Sequence, residues 1–510
     1  MGSLIALLSD PPRRHNALLA LTFIALVPRL LAAFFSGGYF AHDDHFLVIE
    51  AAGSWVDGHD YNYWLPWNQP EGAPPSGHSF FYVGIHFLLF TLLKTIGISD
   101  PKAMMVVVRL LHAVWSLIVV RMGYLIALRL SDERIAWRTG LFLALFYFMP
   151  FLAVRNLVEV ACIPLLMLGA WQLVKDADGI AGRAAFIAGI WIGLAVNIRF
   201  QTIFFAAGPG LALLLQRDRL PMFLYGIGVL VPLVVIQGGL DLFLWDRPFA
   251  EITEYVRYNL EHTETYGSLP WYNYLLLLAG IFIPPFSIAL LFGFFRRTWP
   301  ITLWTPLLLF LAVHSYFPNK QERFLLPMVP LYFVLAYVSW EHWRQGSVWW
   351  RQRPKLWHGM MLWTWIINTI VLVVLCFSYS KRSRVEALYA LRNEPVRGLI
   401  IEDSVEGEEI MPPLFYMRQW DVEVKYMTHV QVDLDSLMRS VPPQRRPDHV
   451  FFFSEDDLAG RMARLEATTG PIRIITRAEP GLVDKVVHWL NPVNRNETIV
   501  VAKIIGDQER

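Results

Sequence analysis

The feature that most constrains this chain of 510 residues is a succession of apolar runs. They lie at about 16–36, 78–97, 103–129, 139–153, 157–175, 183–198, 200–215, 220–243, 271–293, 299–317, 324–341 and 357–379. A bilayer core takes about 20 apolar residues per helical crossing. Helices satisfy every backbone group internally, which lipid requires. The chain therefore reads as an all-α polytopic membrane protein. The runs at 139–153, 183–198 and 200–215 are short for a crossing. The last two meet at Asn197-Ile198-Arg199-Phe200-Gln201, a tight polar turn between two short helices. The first run lacks a small-residue cleavage site and many spans follow it, so it reads as a retained span.

Lys and Arg in short loops set the orientation. Arg13 and Arg14, Arg217 and Arg219, Arg296 and Arg297, and the stretch from Arg344 to Lys355 read as cytoplasmic. The loops at 37–77, 244–270 and 318–323 then share the far side with everything after residue 380. One inconsistency remains: if Arg129–Arg138 is cytoplasmic, the runs 78–97 and 103–129 do not both cross. The expectation is an odd number of crossings, eleven or thirteen, with 78–97 either crossing or re-entrant. The net charge of +1 gives no electrostatic case for nucleic-acid binding. Cys162 and Cys376, far apart inside apolar runs, suggest neither a disulfide framework nor a zinc site.

The expected domains are a membrane domain, 1–380, and an extracytoplasmic soluble domain, 381–510. In the second, residues 399–401, 422–424, 450–453, 472–475 and 499–502 read as short buried strands. Helix-like stretches at 455–466 and 481–490 alternate with them, which predicts a small, mostly parallel α/β domain. It has no glycine-rich phosphate loop.

Four polar clusters fall on the far side. The first, His42-Asp43-Asp44-His45, opens a helix that continues to Asp57. At 100° per residue, Asp43, Glu50, Ser54 and Asp57 share one face, with apolar residues over the rest. Such a helix lies in the membrane interface and holds carboxylates at the boundary of lipid and water. The alternative is an acidic helix N-terminus serving as a cap. The second cluster is Arg155 to Glu159, one helical turn apart and spaced for an ion pair. The third runs from Asn259 to Trp271. The fourth runs from His314 to Phe324 and includes Lys320, Glu322 and Arg323. Ionisable groups this close to an apolar core are costly, so function is the default reading, with snorkelling as the alternative for Lys320 and Arg323.

Asn319-Lys320-Gln321-Glu322-Arg323-Phe324-Leu325-Leu326-Pro327 resembles the His-Lys-Glu-x-Arg-Phe-x-x-Pro motif of the lipid-phosphate-mannose-dependent mannosyltransferases, which serve dolichol-linked oligosaccharide and GPI-anchor assembly and have bacterial members. Tyr266-Gly267-Ser268-Leu269-Pro270-Trp271 is similar to the family's Tyr-Gly-x-x-Pro-Trp, and Asp241 and Trp245 to its Asp…Trp approach. With Phe46 and Glu50 as anchors, Ala41 to Asp44 occupy the places of the family's His-Pro-Asp-Glu. Ala41, His42, Asp44, Asn319 and Gln321 depart from that pattern, which bears on the acceptor and the sugar more than on the reaction.

The resemblance implies a GT-C glycosyltransferase fold of 11–13 transmembrane helices. It further implies a polyprenyl- or dolichyl-phosphate donor, usually of mannose, a glycan or glycolipid acceptor, and inversion at the anomeric carbon at the extracytoplasmic face. That face is the periplasm or exterior of a bacterial inner membrane, or the endoplasmic reticulum lumen in a eukaryote. Displacing a lipid phosphate needs a general base for the acceptor hydroxyl, for which Asp43 is the choice, with Asp44 beside it. The leaving phosphate needs cations, a role suited to Lys320 and Arg323 at the start of a span. His42, His45, Glu50, Arg155, Glu159, Tyr266, Trp271 and Glu322 complete the expected substrate-binding set. No cofactor is implied. A divalent metal on Asp43, Asp44, His45 and Glu159 stays open from ligand types, although the resembling family is read as metal-independent. The rival classes are a secondary transporter, for which the chain shows no internal repeat, and a GT-C transferase placing another sugar on lipopolysaccharide or protein.

Overall fold

A computed structural model describes residues 14–176, 179–265, 267–296, 300–403, 410–427, 439 and 441–505. The chain forms two compact units. The first comprises Met1–Phe34, Trp64–Gly84 and Val108–Cys376; the second comprises Phe35–Tyr63, Ile85–Val107 and Phe377–Arg510. Each unit is woven from several stretches of the chain.

Among the described residues, five helices are long and apolar enough to cross a membrane: Asn16–Phe35, Pro101–Leu130, Arg219–Trp245, Glu322–Gly346 and Pro354–Cys376. Six shorter apolar helices accompany them. The 78–97 run becomes Phe80–Thr95, 16 residues long. At about 1.5 Å per residue it measures about 24 Å, less than the ~30 Å hydrocarbon core.

In the first unit, helix Val329–Gly346 is buried from Val329 to Glu341 and forms the centre of the packing. It is apolar on every side, as a helix wrapped by others must be. Pro354–Cys376 is the opposite case. It turns Leu362, Trp363, Ile366, Ile370 and Val373 outward, the side chains that a lipid-facing helix presents. Helices Gly182–Ile198 and Arg219–Pro232 cross at two glycines. A Cβ on Gly189 would lie 2.3 Å from the Tyr225 carbonyl oxygen, and one on Gly228 would lie 2.2 Å from that of Phe186. Small residues permit this backbone approach.

Polar side chains within the spans serve broken helices. Helix Glu133–Leu145 ends before Phe146, and its last carbonyls need donors. The fully buried Arg29 donates to the carbonyl oxygens of Leu143 (3.1 Å) and Ala144 (2.8 Å). Asn368 donates to Leu145 O (3.0 Å) and accepts from Tyr147 N (2.7 Å).

The second unit carries a five-stranded sheet. Its strands are β1 Gly398–Asp403, β2 Glu423–Met427, β3 His449–Phe453, β4 Ile472–Ala478 and β5 Ile499–Ile504, in the order β2-β1-β3-β5-β4. All five expected strands are present, but the sheet is mixed rather than mostly parallel. β1 pairs parallel with β2 and β3, whereas β5 runs antiparallel to both β3 and β4. An alternation of strands and helices shows where strands lie, not which neighbour a returning strand chooses. The expected burial also fails at the edges. β1 and β3 are almost wholly buried, but β2 is half-buried and β4 alternates, with Arg473 exposed. Edge strands show one row of side chains to solvent. Ile400, Val450, Phe452, Leu465, Ile472, Val500 and Ala502 form the core on one face. Helix Leu458–Thr469 contributes Leu465 to it.

Candidate functional site

The acidic cluster lies in the second unit, and the basic motif lies in the first.

The acidic cluster is helical from His42, but Asp44–Glu50 is wound as a π-helix before Ala51–Val56 resumes the α form. Asp43 makes no side-chain capping bond to the π-helical part, and with the helix starting at His42 both Asp43 and Asp44 stand in its first turn, where the helix dipole favours acids. His42 is exposed, Asp43 half-buried and Asp44 buried. A π-turn adds a residue to the winding, so the 100° count from Asp43 does not carry through to Glu50. From Glu50 onward it does: Glu50, Ser54 and Asp57 share a face, and that face meets protein. The Phe415 N–H donates to Glu50 Oε1 at 3.2 Å. Asp57 accepts from Trp420 Nε1 at 2.8 Å, from Lys94 at 2.7 Å and from Arg418. A Cβ on Gly53 would meet the Phe415 ring at 2.7 Å. The expected interfacial carboxylates at Glu50 and Asp57 therefore anchor the segment 414–420.

His45 is stacked between Tyr39 (centroids 4.3 Å apart) and Tyr416 (5.5 Å), with Nε2 3.3 Å from Glu50 Oε1. Burial lifts Glu50 well above the usual carboxylate range, against the lowering effect of the Phe415 and Leu414 N–H groups. Burial, helped by Lys381 and His42, drives His45 well below the usual imidazole range. Both shifts favour the uncharged forms, which is how a dry interior accommodates such groups.

In the first unit, the two loop motifs noticed in sequence come together. Leu269 N donates to Pro318 O at 3.1 Å, and Tyr274 Oη donates to Gln321 O at 3.1 Å. Lys320 Nζ donates to Leu269 O at 3.0 Å and to Phe317 O. Trp271 and Glu322 are exposed. Tyr266 lies outside the described residues.

Beside these loops stands an ionic cluster. Helix Phe148–Ala153 ends before Arg155, and a new helix starts at Val158. The single helical turn expected to link Arg155 and Glu159 is therefore not formed. Arg155 is buried with its guanidinium over the Phe151 ring at 4.5 Å. The fully buried Glu159 carboxylate lies 3.1 Å from Arg199 and 3.9 Å from Arg323. Both guanidiniums cover Phe324, at 5.2 and 5.6 Å from the ring centroid. Gln201 accepts from Arg199 and Gln321 from Arg323. Nearby, a cavity of about 140 Å³ is lined by Gln201, Tyr255, Asn259, His314, Asn319 and Phe324 among others. Sequence reasoning missed Arg199; the signal was its place in the polar turn between two apolar runs.

Asp241 belongs to a third cluster in this unit. It accepts from Gln237 Nε2 (2.8 Å) and Glu251 N (3.1 Å), while Glu251 accepts from Gln237 (2.9 Å) and Phe80 N (3.1 Å). Burial and the Asp241 charge push Glu251 upward. The cluster joins three chain segments. Among the described residues, no group of three or more His, Cys, Asp or Glu is placed to hold a metal ion, so Asp43, Asp44, His45 and Glu159 do not form one.

Residues 20–397 match the Alg9-like mannosyltransferase family. GPI mannosyltransferase 3 of Saccharomyces cerevisiae is 23% identical over 229 residues, 42% of this chain and 36% of that protein. Mannosyltransferase APTG1 of Arabidopsis thaliana is 22% identical over 327 residues, 60% of this chain and 56% of that protein. The chain thus spans about a third to a half of the length of these relatives. The crystal structure of ArnT from Cupriavidus metallidurans bound to undecaprenyl phosphate superposes with a TM-score of 0.59 and 13% identity, over 97% of this chain and 99% of that one. The likeness shows the GT-C architecture expected above, a polytopic helical core with a C-terminal domain of strands and helices. By the match over residues 20–397, the chain belongs to the Alg9-like mannosyltransferase family.

Proposed function

We propose that this protein is an integral-membrane glycosyltransferase. It moves mannose from a polyprenyl- or dolichyl-phosphate donor to a glycan or lipid-linked acceptor at the extracytoplasmic face, with inversion. The observation that carries this reading is the joining of the two motif loops through Lys320 and Leu269, beside Arg199 and Arg323 gathered on Phe324. Membership of the family and a fold like that of a protein crystallised with undecaprenyl phosphate support it.

In this reading the acceptor oxygen attacks the anomeric carbon as the bond to the donor phosphate breaks. Asp43, half-buried at the start of its helix, takes the hydroxyl proton, and the buried Asp44 orients the acceptor. Arg323 and Lys320 meet the charge that grows on the leaving phosphate, and Arg199 is a third cation for it. Glu159 holds the two arginines in place before donor arrives. The 140 Å³ cavity has a mostly apolar wall with a few hydrogen-bonding groups, among them Gln201, Asn259, His314 and Asn319, a combination that suits a sugar carried on a lipid.

Transfer of labelled sugar from synthetic polyprenyl-phosphate donors to a panel of acceptors tests the proposal. Mannose transfer is expected. No transfer from any lipid-phosphate sugar, by folded protein, would overturn it. Transfer of a different sugar alone would favour the reading as a GT-C transferase placing another sugar on lipopolysaccharide or protein.

A further inference from the structure

Helix Leu482–Leu490 in the second unit is amphipathic in the inverted sense. Its polar residues face the domain: Asp484 is buried, and His488 is half-buried with Nε2 3.7 Å from Glu497. Its large apolar residues face out. Leu482 is 75% exposed, Val486 48%, Trp489 80% and Leu490 70%. At 100° per residue these four span one arc of about 100°, with Lys485 on its flank. A soluble domain does not gain from such a face in water.

The position of this helix indicates what covers it. The Asp484 carboxylate accepts the backbone N–H groups of Lys381 and Arg382, both at 2.9 Å. A Cβ on Gly481 would lie 2.7 Å from Tyr379 O. The apolar helix Pro354–Cys376 ends only five residues before Lys381. The end of the first apolar helix is fastened to the same stretch: Ser36 Oγ donates to Ser378 O (2.9 Å) and Ser380 N to Gly37 O (3.2 Å). Phe35 and Phe377, both about half exposed, pack together with centroids 5.2 Å apart. Helix Leu482–Leu490 is thus tied to the point where two lipid-spanning helices end. Five extended residues reach at most about 17 Å, so the helix N-terminus stays close to the polar margin of the bilayer.

We infer that the outward face of Leu482–Leu490 lies in the lipid interface and docks this domain on the membrane surface, with Leu482, Val486, Trp489 and Leu490 inserted and Lys485 at headgroup level. Exposed Trp beside an apolar stripe and a flanking Lys is the composition of an interfacial helix. The bilayer margin next to the ends of the two spans is the surface within reach.

Full-length protein in phosphatidylcholine vesicles, carrying Trp489→Cys with an environment-sensitive fluorophore, tests this. The buried Cys162 and Cys376 are replaced by Ala, and an Arg464→Cys label serves as the solvated control. The label at 489 is expected to be quenched by shallow doxyl lipids and shielded several-fold from aqueous iodide relative to that at 464. Equal iodide quenching at both positions would overturn the inference. A second measurement leaves the cysteines intact: a photo-crosslinking residue at 489 in native membranes is expected to give a lipid adduct. A protein adduct, or none, would overturn the proposal in favour of a second protein surface or solvent.

Discussion

Lys320 reaches across to the backbone of Leu269, 3.0 Å away, and so binds one loop motif of this chain to the other. The same ammonium proposed to meet the donor phosphate therefore also sets the shape of the loop that carries Trp271. A positive charge at the margin of a span is expensive, and two carbonyl partners offset that cost while the loop waits for donor.

Replacement of the phosphate-site cations tests the assignment. Lys320→Ala and Arg323→Ala are each expected to slow transfer about ten- to a hundred-fold, the worth of a charge-assisted contact of ~1.5–3 kcal/mol. Arg323→Lys should also be impaired if the contact is bidentate. Steady-state transfer by purified variants checks this, and normal kinetics in both alanine variants rule the assignment out.

Arg199 is expected to behave as part of the same site. Arg199→Ala should reduce donor use by a similar factor. Glu159→Gln should cost stability, because it leaves two guanidiniums without their buried carboxylate, a loss of about 3–5 kcal/mol for a broken buried pair. Thermal unfolding in detergent, read beside donor KM, distinguishes the two effects. An Arg199→Ala variant with unchanged KM and kcat would remove Arg199 from the site.

General-base catalysis is worth about 10²–10⁴ in rate. Asp43→Asn is expected to bind donor nearly normally yet transfer sugar at least ~100-fold more slowly. Asp44→Asn should lose less. Single-turnover rates decide the register: a dead Asp44→Asn beside an active Asp43→Asn would make Asp44 the base.

Glu50 gives the second unit a pH dependence. Its folded pKa is raised by burial, so its contribution to stability is complete below about 4.3, the unfolded value. That contribution is lost as pH rises toward the folded value, by at most about 1.4 kcal/mol per pH unit. His45, shifted down, acts oppositely, and its effect ends above about 6.5. As pH rises above about 4.3 the wild type should therefore lose stability relative to Glu50→Gln, which keeps an acceptor for Phe415 N and leaves His45 common to both proteins. Apparent Tm of both proteins from pH 4 to 9 tests this, and parallel profiles would show that burial does not raise the Glu50 pKa.

The proposed far-side placement of residues 381–510 predicts that a cysteine at Asp456 is labelled from outside intact cells by an impermeant maleimide. Labelling only from the cytoplasmic side, in inverted vesicles, would reverse the proposed topology.

The apolar runs and the five strands of the C-terminal domain could be read directly from the residues, because each is a local pattern that lipid or a sheet imposes on consecutive positions; the loop motifs were legible through their resemblance to those of the mannosyltransferases. Charge beside apolar runs, together with that resemblance, also singled out Asp43, Lys320 and Arg323 as candidates. They did not say which partner each charge would take. Glu159 stands four residues from Arg155 but sits beside Arg199 and Arg323, because the helix breaks at 154–157. Glu50, read at the α-helical period as an interfacial carboxylate, is a buried acid beneath Phe415, because a π-turn rewinds the helix and a segment 365 residues away covers it. Sheet direction went the same way: β5 returns antiparallel beside β3 through a pairing that no spacing records. Periodicity determines what a segment is and which side of it is greasy. Burial, ion-pair choice and strand direction depend on which distant segment arrives opposite, and only the tertiary structure decides that.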